Sequence, residues 1–103
     1  MAVSVIQGNN DSGWKTLSEG ISYRKKNGIV MVFIEGVASS ATSGTQVLGT
    51  LPSGYRPDRN KQYYLRKGDT LLQAWLTSGG VLNYSARSAS GNIAGFAVFF
   101  QDN

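Results

Sequence analysis

Residue types that proteins use to bind sugars lie on a predicted hairpin in the second half of the chain. Gln73 and Trp75 share one face of its first strand, because alternate side chains of a strand point the same way. Asn83 and Ser85 share a face of the return strand for the same reason, and Arg87 follows directly. A sugar has an apolar face rimmed by hydroxyl groups, which an aromatic wall and a few amide, hydroxyl or guanidinium groups complement. This pattern predicts a saccharide-binding surface.

The preceding predicted strand supplies a second aromatic side chain. Tyr63 and Tyr64 are neighbours, so one of them faces outward in a regular strand, and Tyr64 is our candidate. The alternative for Trp75 is burial in the core or in a subunit interface, and the alternative for the two amides is an ordinary solvent-facing position. Whether the two faces of the hairpin coincide depends on the register, which the turn at 78–80 sets. The predicted ligand-binding residues are Tyr64, Gln73, Trp75, Asn83, Ser85 and Arg87.

Catalytic chemistry has little support in the residue types present. The chain contains neither Cys nor His, which excludes a Ser-His-Asp triad, thiol chemistry and metal sites of the Cys/His class. Most of the 6 acidic residues lie in or beside predicted turns. The exception, Glu35, lies in a strongly apolar strand, where it is either an acid in a cleft or, as we favour, a partner for an Arg at a subunit contact. We therefore expect no enzyme activity, no metal and no cofactor.

Length and composition indicate one small domain with many turns. The 103 residues include 13 Gly and are 41% hydrophobic, which is enough for a modest core. The net charge of +4 raises nucleic acid as a partner, but most basic residues fall in predicted turns, such as the solvated hairpin tip expected at 24–26. The longest apolar run, 29–34, is far shorter than the roughly 20 residues of a membrane span. We expect neither nucleic-acid binding nor membrane insertion.

Short alternating or apolar runs, separated by turn residues, recur along the chain. The Asn27-Gly28 pair between two such runs is a strong hairpin signal, since this pair tolerates the positive φ angles of a type I′ turn. The predicted strands are 2–7, 14–17, 21–25, 29–37, 46–51, 63–67, 70–77, 81–86 and 95–100. No stretch has helical periodicity. The pattern predicts an all-β domain, an antiparallel β-sandwich or barrel with jelly-roll-like (Greek-key) connections.

Two predicted strands, 29–37 and 95–100, are apolar on both faces. The sets assigned to the core are Val30, Val32 and Ile34 in the first strand and Phe96, Val98 and Phe100 in the second, with Ala97 facing outward. Met31, Phe33 and Phe99 are then left over. Large apolar side chains outside the core predict a partner surface, for which a second copy of the chain is the default.

The stretch 48–57, which reads LGTLPSGYRP, has the residues of a crossover from one sheet to the next. Leu51 and Tyr55 are apolar anchors, while a proline between them fixes one backbone angle and a glycine permits a positive φ. Together with the preceding strand pair YRKKNGIVMV, this stretch resembles the C-terminal head domains of phage tail-fibre and baseplate receptor-binding proteins, from phages of Gram-positive bacteria. Elsewhere between Trp14 and Gln101 the likeness is in the order of strands and turns.

The resemblance implies that residues 1–103 form a single β head domain, the C-terminal part of a longer fibre or baseplate protein. It implies a homotrimer in the virion, at a phage tail tip or baseplate, made in the host cytoplasm. Other tail or baseplate proteins would be joined through a missing N-terminal part. The expected function is host adhesion, with host cell-wall saccharide as the ligand. The alternative is a structural cap that trimerises at the end of a tail fibre and has no ligand of its own.

Overall fold

The computed structural model describes residues 11–101, which form eight β-strands and no helix. The strands are β1 (Lys15–Ser18), β2 (Ile21–Lys26), β3 (Ile29–Val37), β4 (Thr45–Thr50), β5 (Lys61–Lys67), β6 (Thr70–Leu76), β7 (Val81–Ser85) and β8 (Ile93–Phe100). The all-β prediction is confirmed, while the predicted strand 2–7 lies outside the described residues. Residues 11–101 contain no helix that is long and apolar enough to cross a membrane.

All neighbouring strands are antiparallel, in the order β1-β2-β3-β8-β5-β6-β7-β4. Three of the pairs are nested along the chain, with β5–β6 innermost, β4–β7 around it and β3–β8 outermost. This nesting confirms the jelly-roll-like connections that the sequence predicts.

The sheet divides into two halves that wrap around a shared core. β8 and β5 join the halves through the pairs Leu65–Gly95, Arg66–Ala94 and Lys67–Ile93. At the opposite side β1 approaches β4, where a Cβ added at Gly49 would lie 3.1 Å from Leu17 Cδ2. The result is a nearly closed, barrel-like sheet whose outer surface carries every candidate site residue.

The β2–β3 hairpin forms where the Asn-Gly pair predicts it. Asn27 and Gly28 have φ angles of 52° and 82°, the left-handed values that a type I′ turn requires. Lys26 pairs with Ile29, and the register continues without interruption along the hairpin. Alternation then sends the predicted inward set of β3 into the core, and Val30, for example, is 0% exposed.

The predicted faces of β8 are wrong. Ala97 and Phe99 are buried, whereas Phe96, Val98 and Phe100 are 60%, 53% and 72% exposed. The reason is the pairing with β3, which places Phe99 opposite the buried Val30. Residues opposite one another in antiparallel strands share a face, so the partner strand decides the orientation when both alternating sets are apolar. Phe99 therefore belongs to the core and not to the leftover apolar set.

The stretch 48–57 is a crossover, but it joins β4 and β5, the two outer strands of the same half. Leu51 is fully buried, and its carbonyl oxygen accepts a hydrogen bond from Arg56 Nε at 2.9 Å. The Tyr55 N–H donates to the Pro52 carbonyl at 3.1 Å. The Tyr55 ring meets Tyr23 edge to face, with centroids 4.7 Å apart. These contacts fix the turn against the end of the core, as the two apolar anchors predict.

Candidate functional site

The outward face of β5, β6 and β7 brings the predicted ligand-binding residues onto one surface. Tyr64 of β5 pairs with Gln73 of β6, and Trp75 of β6 pairs with Asn83 of β7. Ser85 lies two residues beyond Asn83 and so faces the same way. Since paired residues share a face, the two faces of the hairpin coincide.

Five residues on this surface line a groove of about 400 Å³. They are Tyr64, Leu71, Gln73, Ser85 and Arg87, and we call this surface the polar groove. Tyr64 and Leu71 are 62% and 61% exposed, so they form an aromatic and an aliphatic wall. The amide, hydroxyl and guanidinium groups supply hydrogen-bond donors and acceptors. These five residues include no carboxylate.

Leu71 is the lining residue that the predicted set lacks. It lies two residues before Gln73 on the same strand, so the alternation that selects Gln73 and Trp75 selects Leu71 as well. An exposed leucine carries no polar atom that would mark it as a binding residue, and the register was needed to place it beside Tyr64 in the groove.

Trp75 and Asn83 lie beside the polar groove and do not line it. Trp75 is partly buried, and Asn83 is only 7% exposed. Asn83 lies between Trp75 and Val47 in the sheet, and its Nδ2 donates to the Val81 carbonyl at 3.2 Å. The alternative of a solvent-facing Asn83 is therefore wrong. Four of the six predicted residues meet in one groove, and these two extend the same face away from it.

The segment between β3 and β4 fixes the end of β7 from which Arg87 reaches the groove. Three contacts hold this segment: the Ala86 N–H donates to the Gly44 carbonyl at 2.8 Å, the Ser39 and Tyr84 hydroxyls hydrogen-bond at 2.7 Å, and Lys67 Nζ donates to the Ala41 carbonyl at 3.3 Å. Because backbone and side-chain contacts both contribute, the position of Ser85 and Arg87 relative to β6 does not depend on the β6–β7 pairing alone.

Two polar side chains of β5 point into the interior. Lys67 is 4% exposed, and the hydroxyl oxygen of Tyr63 is buried. Burial raises the pKa of the Tyr63 hydroxyl, so this group stays neutral. Both lie on the opposite face of β5 from Tyr64, and neither lines the polar groove.

A second outward surface, formed by β3 and β8, is apolar. Its cross-strand pairs are Ile29–Phe100, Met31–Val98 and Phe33–Phe96, and we call these six residues the apolar ladder. The rings of Phe33 and Phe96 meet edge to face with centroids 6.1 Å apart. Phe96 also lines a cleft together with Tyr64 and Leu71, so the apolar ladder and the polar groove adjoin at this residue. Contiguous apolar surface of this kind usually marks contact with a partner.

Two of the three basic residues expected at a solvated hairpin tip, Arg24 and Lys25, make contacts within the protein, whereas Lys26 is exposed as expected. Arg24 Nε and Nη2 donate to the two carboxylate oxygens of Asp11 at 2.9 Å and 2.5 Å. The same guanidinium lies 5.7 Å from the centroid of the Trp14 ring. Lys25 Nζ donates to the Gly54 carbonyl at 3.1 Å. These contacts leave less positive charge free for a polyanion than the composition suggests.

Comparison with known proteins does not assign the chain to a family. No protein-family model matches the chain, and no curated protein matches it. Among residues 11–101 there is also no group of three His, Cys, Asp or Glu side chains placed to hold a metal ion. The polar groove and the apolar ladder are therefore the features of the described chain from which a function can be argued.

Proposed function

We propose that the chain is the receptor-binding head domain of a phage tail-fibre or baseplate protein, and that its polar groove binds saccharide of the host cell wall. The observation that carries this proposal is the convergence of Tyr64, Gln73, Ser85 and Arg87 on one groove. An aromatic ring, an amide, a hydroxyl and a guanidinium in one concave surface complement the apolar face and the hydroxyl groups of a sugar. The phage assignment is supported by the LGTLPSGYRP stretch and its resemblance to such heads.

The proposal also gives the domain a place in the virion. The head lies at the tail tip or baseplate, is made in the host cytoplasm, and is joined to other tail or baseplate proteins through sequence on its N-terminal side. Its role is adhesion without bond cleavage. A glycosidase needs two carboxyl groups about a sugar, and the residues that line the polar groove supply none.

A matched pair of glutamines tests the groove. Gln73 lines it, whereas Gln62 is an exposed residue on the adjacent strand that lies outside it. We expect Gln73→Ala to weaken binding of purified Gram-positive cell-wall polysaccharide by about tenfold, the equivalent of one good hydrogen bond, and Gln62→Ala to leave it unchanged. Calorimetric titration measures both. Equal affinity of the two variants and the wild type would place the binding site elsewhere.

We also propose that the domain is a homotrimer assembled through the apolar ladder. Phe96, Val98 and Phe100 are more than half exposed, although each is an apolar side chain of a regular strand. Symmetry makes an identical chain the default partner, and the resemblance to phage heads sets the number at three. Three copies would also combine three weak sugar sites into useful avidity on a cell wall.

Light scattering or sedimentation of the purified domain tests this assembly. The expected mass is three times the 11.1 kDa of one chain at micromolar concentration. We expect Phe100→Gln to shift the equilibrium toward single chains, and Val47→Gln, a 61% exposed apolar residue away from the ladder, to have no effect. The mass of a single chain would contradict self-association. The mass of a dimer would contradict the trimer and the resemblance to phage heads that predicts it.

The apolar ladder by itself favours a second function, that of a structural cap that trimerises at a fibre end and binds nothing. The two functions differ in one result. A trimer with no affinity for cell-wall polysaccharide, in wild type and in the Gln73→Ala variant alike, would support the cap and contradict adhesion.

A further inference from the structure

We propose that Glu35 and Arg66 form an ion pair between neighbouring copies of the chain, across the apolar ladder. The inference rests on the proposed self-association and adds its orientation. Both residues are exposed and lie on either side of Ala94 of β8, Arg66 on β5 and Glu35 on β3. Arg66 of β5 pairs with Ala94 of β8. Glu35 of β3 directly follows Ile34, the partner of Gly95, and it lines a cleft with Ala94 from the other side.

Neither charge takes part in an ion pair within residues 11–101. The ion pairs there join Asp11 to Arg24, and Asp58 to the two basic residues near it. Two strand spacings place the backbones of Glu35 and Arg66 roughly 10 Å apart. The β3 side of the ladder therefore carries an acid, and the β5 side carries a base.

The surface also has one cleft on the β3 side of the ladder and another on the β5 side. The exposed ring of Phe96 stands between two clefts. The cleft on the β3 side, about 240 Å³, is lined by Phe33 and Glu35 among others, and the cleft on the β5 side, about 280 Å³, by Leu71 and Arg66 among others. A projecting ring between two largely apolar clefts, with an acid at one and a base at the other, is complementary to a copy of itself.

The charges select the direction of the symmetry axis. Rotation about an axis parallel to β8 leaves each residue at the same position along the strand direction. It brings the β3 side of one copy against the β5 side of the next. Glu35 then meets Arg66 of the neighbouring copy, and the apolar ladders face each other between them. An axis perpendicular to the strands does not bring the acidic and basic sides together. Complementary charge at the border of an apolar contact is a usual means of fixing its register.

The exposed apolar area outside the polar groove approaches the size that contact with a second copy requires. Aromatic side chains bury about 150–250 Å² each, so the exposed parts of the ladder and of the adjoining Trp14 amount to roughly 500–700 Å². A stable interface of standard size buries about 800 Å² on each partner.

Charge reversal tests the pair. We expect Glu35→Arg and Arg66→Glu each to raise the dissociation constant of the oligomer by at least about tenfold at low salt, since each sets like charges against one another. The double variant should recover most of the wild-type affinity. Sedimentation equilibrium measures all four proteins. Glu19→Arg, which reverses an exposed acid in the turn before β2, serves as the control and should assemble as the wild type does.

Three results would overturn the inference, and they separate it from the proposed assembly. Single variants that assemble like the wild type would show that the oligomer exists without this pair. If the increase in the dissociation constant of the double variant equals the product of the two single increases, the two residues do not meet. A wild-type protein that is a single chain would remove both the pair and the oligomer, whereas saccharide binding in the polar groove is measured independently.

Discussion

Arg24 connects the beginning of the described chain to the sheet. Its guanidinium donates to both carboxylate oxygens of Asp11 and lies against the ring of Trp14. Trp14 in turn contacts Phe33, with ring centroids 5.1 Å apart. The segment 11–14 is thus held over one end of the apolar ladder by a charged contact and an aromatic one.

The ion pair predicts a dependence of stability on pH. The hydrogen bond from Arg24, with help from the Gly13 N–H, lowers the pKa of Asp11 from 3.8 to about 2. A carboxyl group whose pKa is depressed in the folded state stabilises that state above its unfolded pKa, and this contribution is lost as the pH falls toward 2. We expect Asp11→Asn to lower the melting temperature at pH 7 but to match the wild type near pH 2. Thermal melts at both pH values measure this, and an equal difference at the two would contradict it.

The turn between β5 and β6 packs tightly on the segment that precedes β8. Gly68 has a φ of 60°, and a Cβ added there would lie 2.3 Å from the Ser90 carbonyl oxygen. We expect Gly68→Ala to cost about 2 kcal/mol or more of unfolding free energy, because backbone atoms must move. In Gly79→Ala the nearest atom would be 3.7 Å away, so the change should stay within about 0.5 kcal/mol. Urea unfolding compares the two, and equal midpoints would be inconsistent with this packing.

The elements also show what sequence patterns can and cannot determine. Asn27 and Gly28 specify a hairpin through their own backbone preferences, and alternation places Tyr64 and Gln73 on an outward face. The face of β8 could not be chosen in this way, because both of its alternating sets are apolar and the pairing with β3 decides between them. The neighbours of Asn83 could not be predicted locally either, because one of them, Val47, belongs to β4, a strand distant in sequence that lies beside β7 in the sheet.

One continuous outer face of the molecule changes from apolar to polar along the sheet. It is apolar over β3 and β8 and becomes polar over β6 and β7, and the two parts meet near Phe96 and Tyr64. Gln73, Ser85 and Arg87 belong to the polar groove alone. The proposed self-association surface and the proposed ligand surface therefore adjoin on one small domain, and substitution of Gln73, Ser85 or Arg87 alters the second without changing a residue of the first.

Amide chemical-shift mapping can locate the binding of cell-wall saccharide that we propose for the polar groove. A nitrogen-15-labelled domain is titrated with shortened cell-wall polysaccharide from a Gram-positive host. We predict that the amides of the groove residues in β5, β6 and β7, and that of Arg87, shift progressively, while those of β2 and β3 do not. A titration to saturation that shifts no groove amide, or that shifts only amides of the apolar ladder, would contradict saccharide binding in the groove.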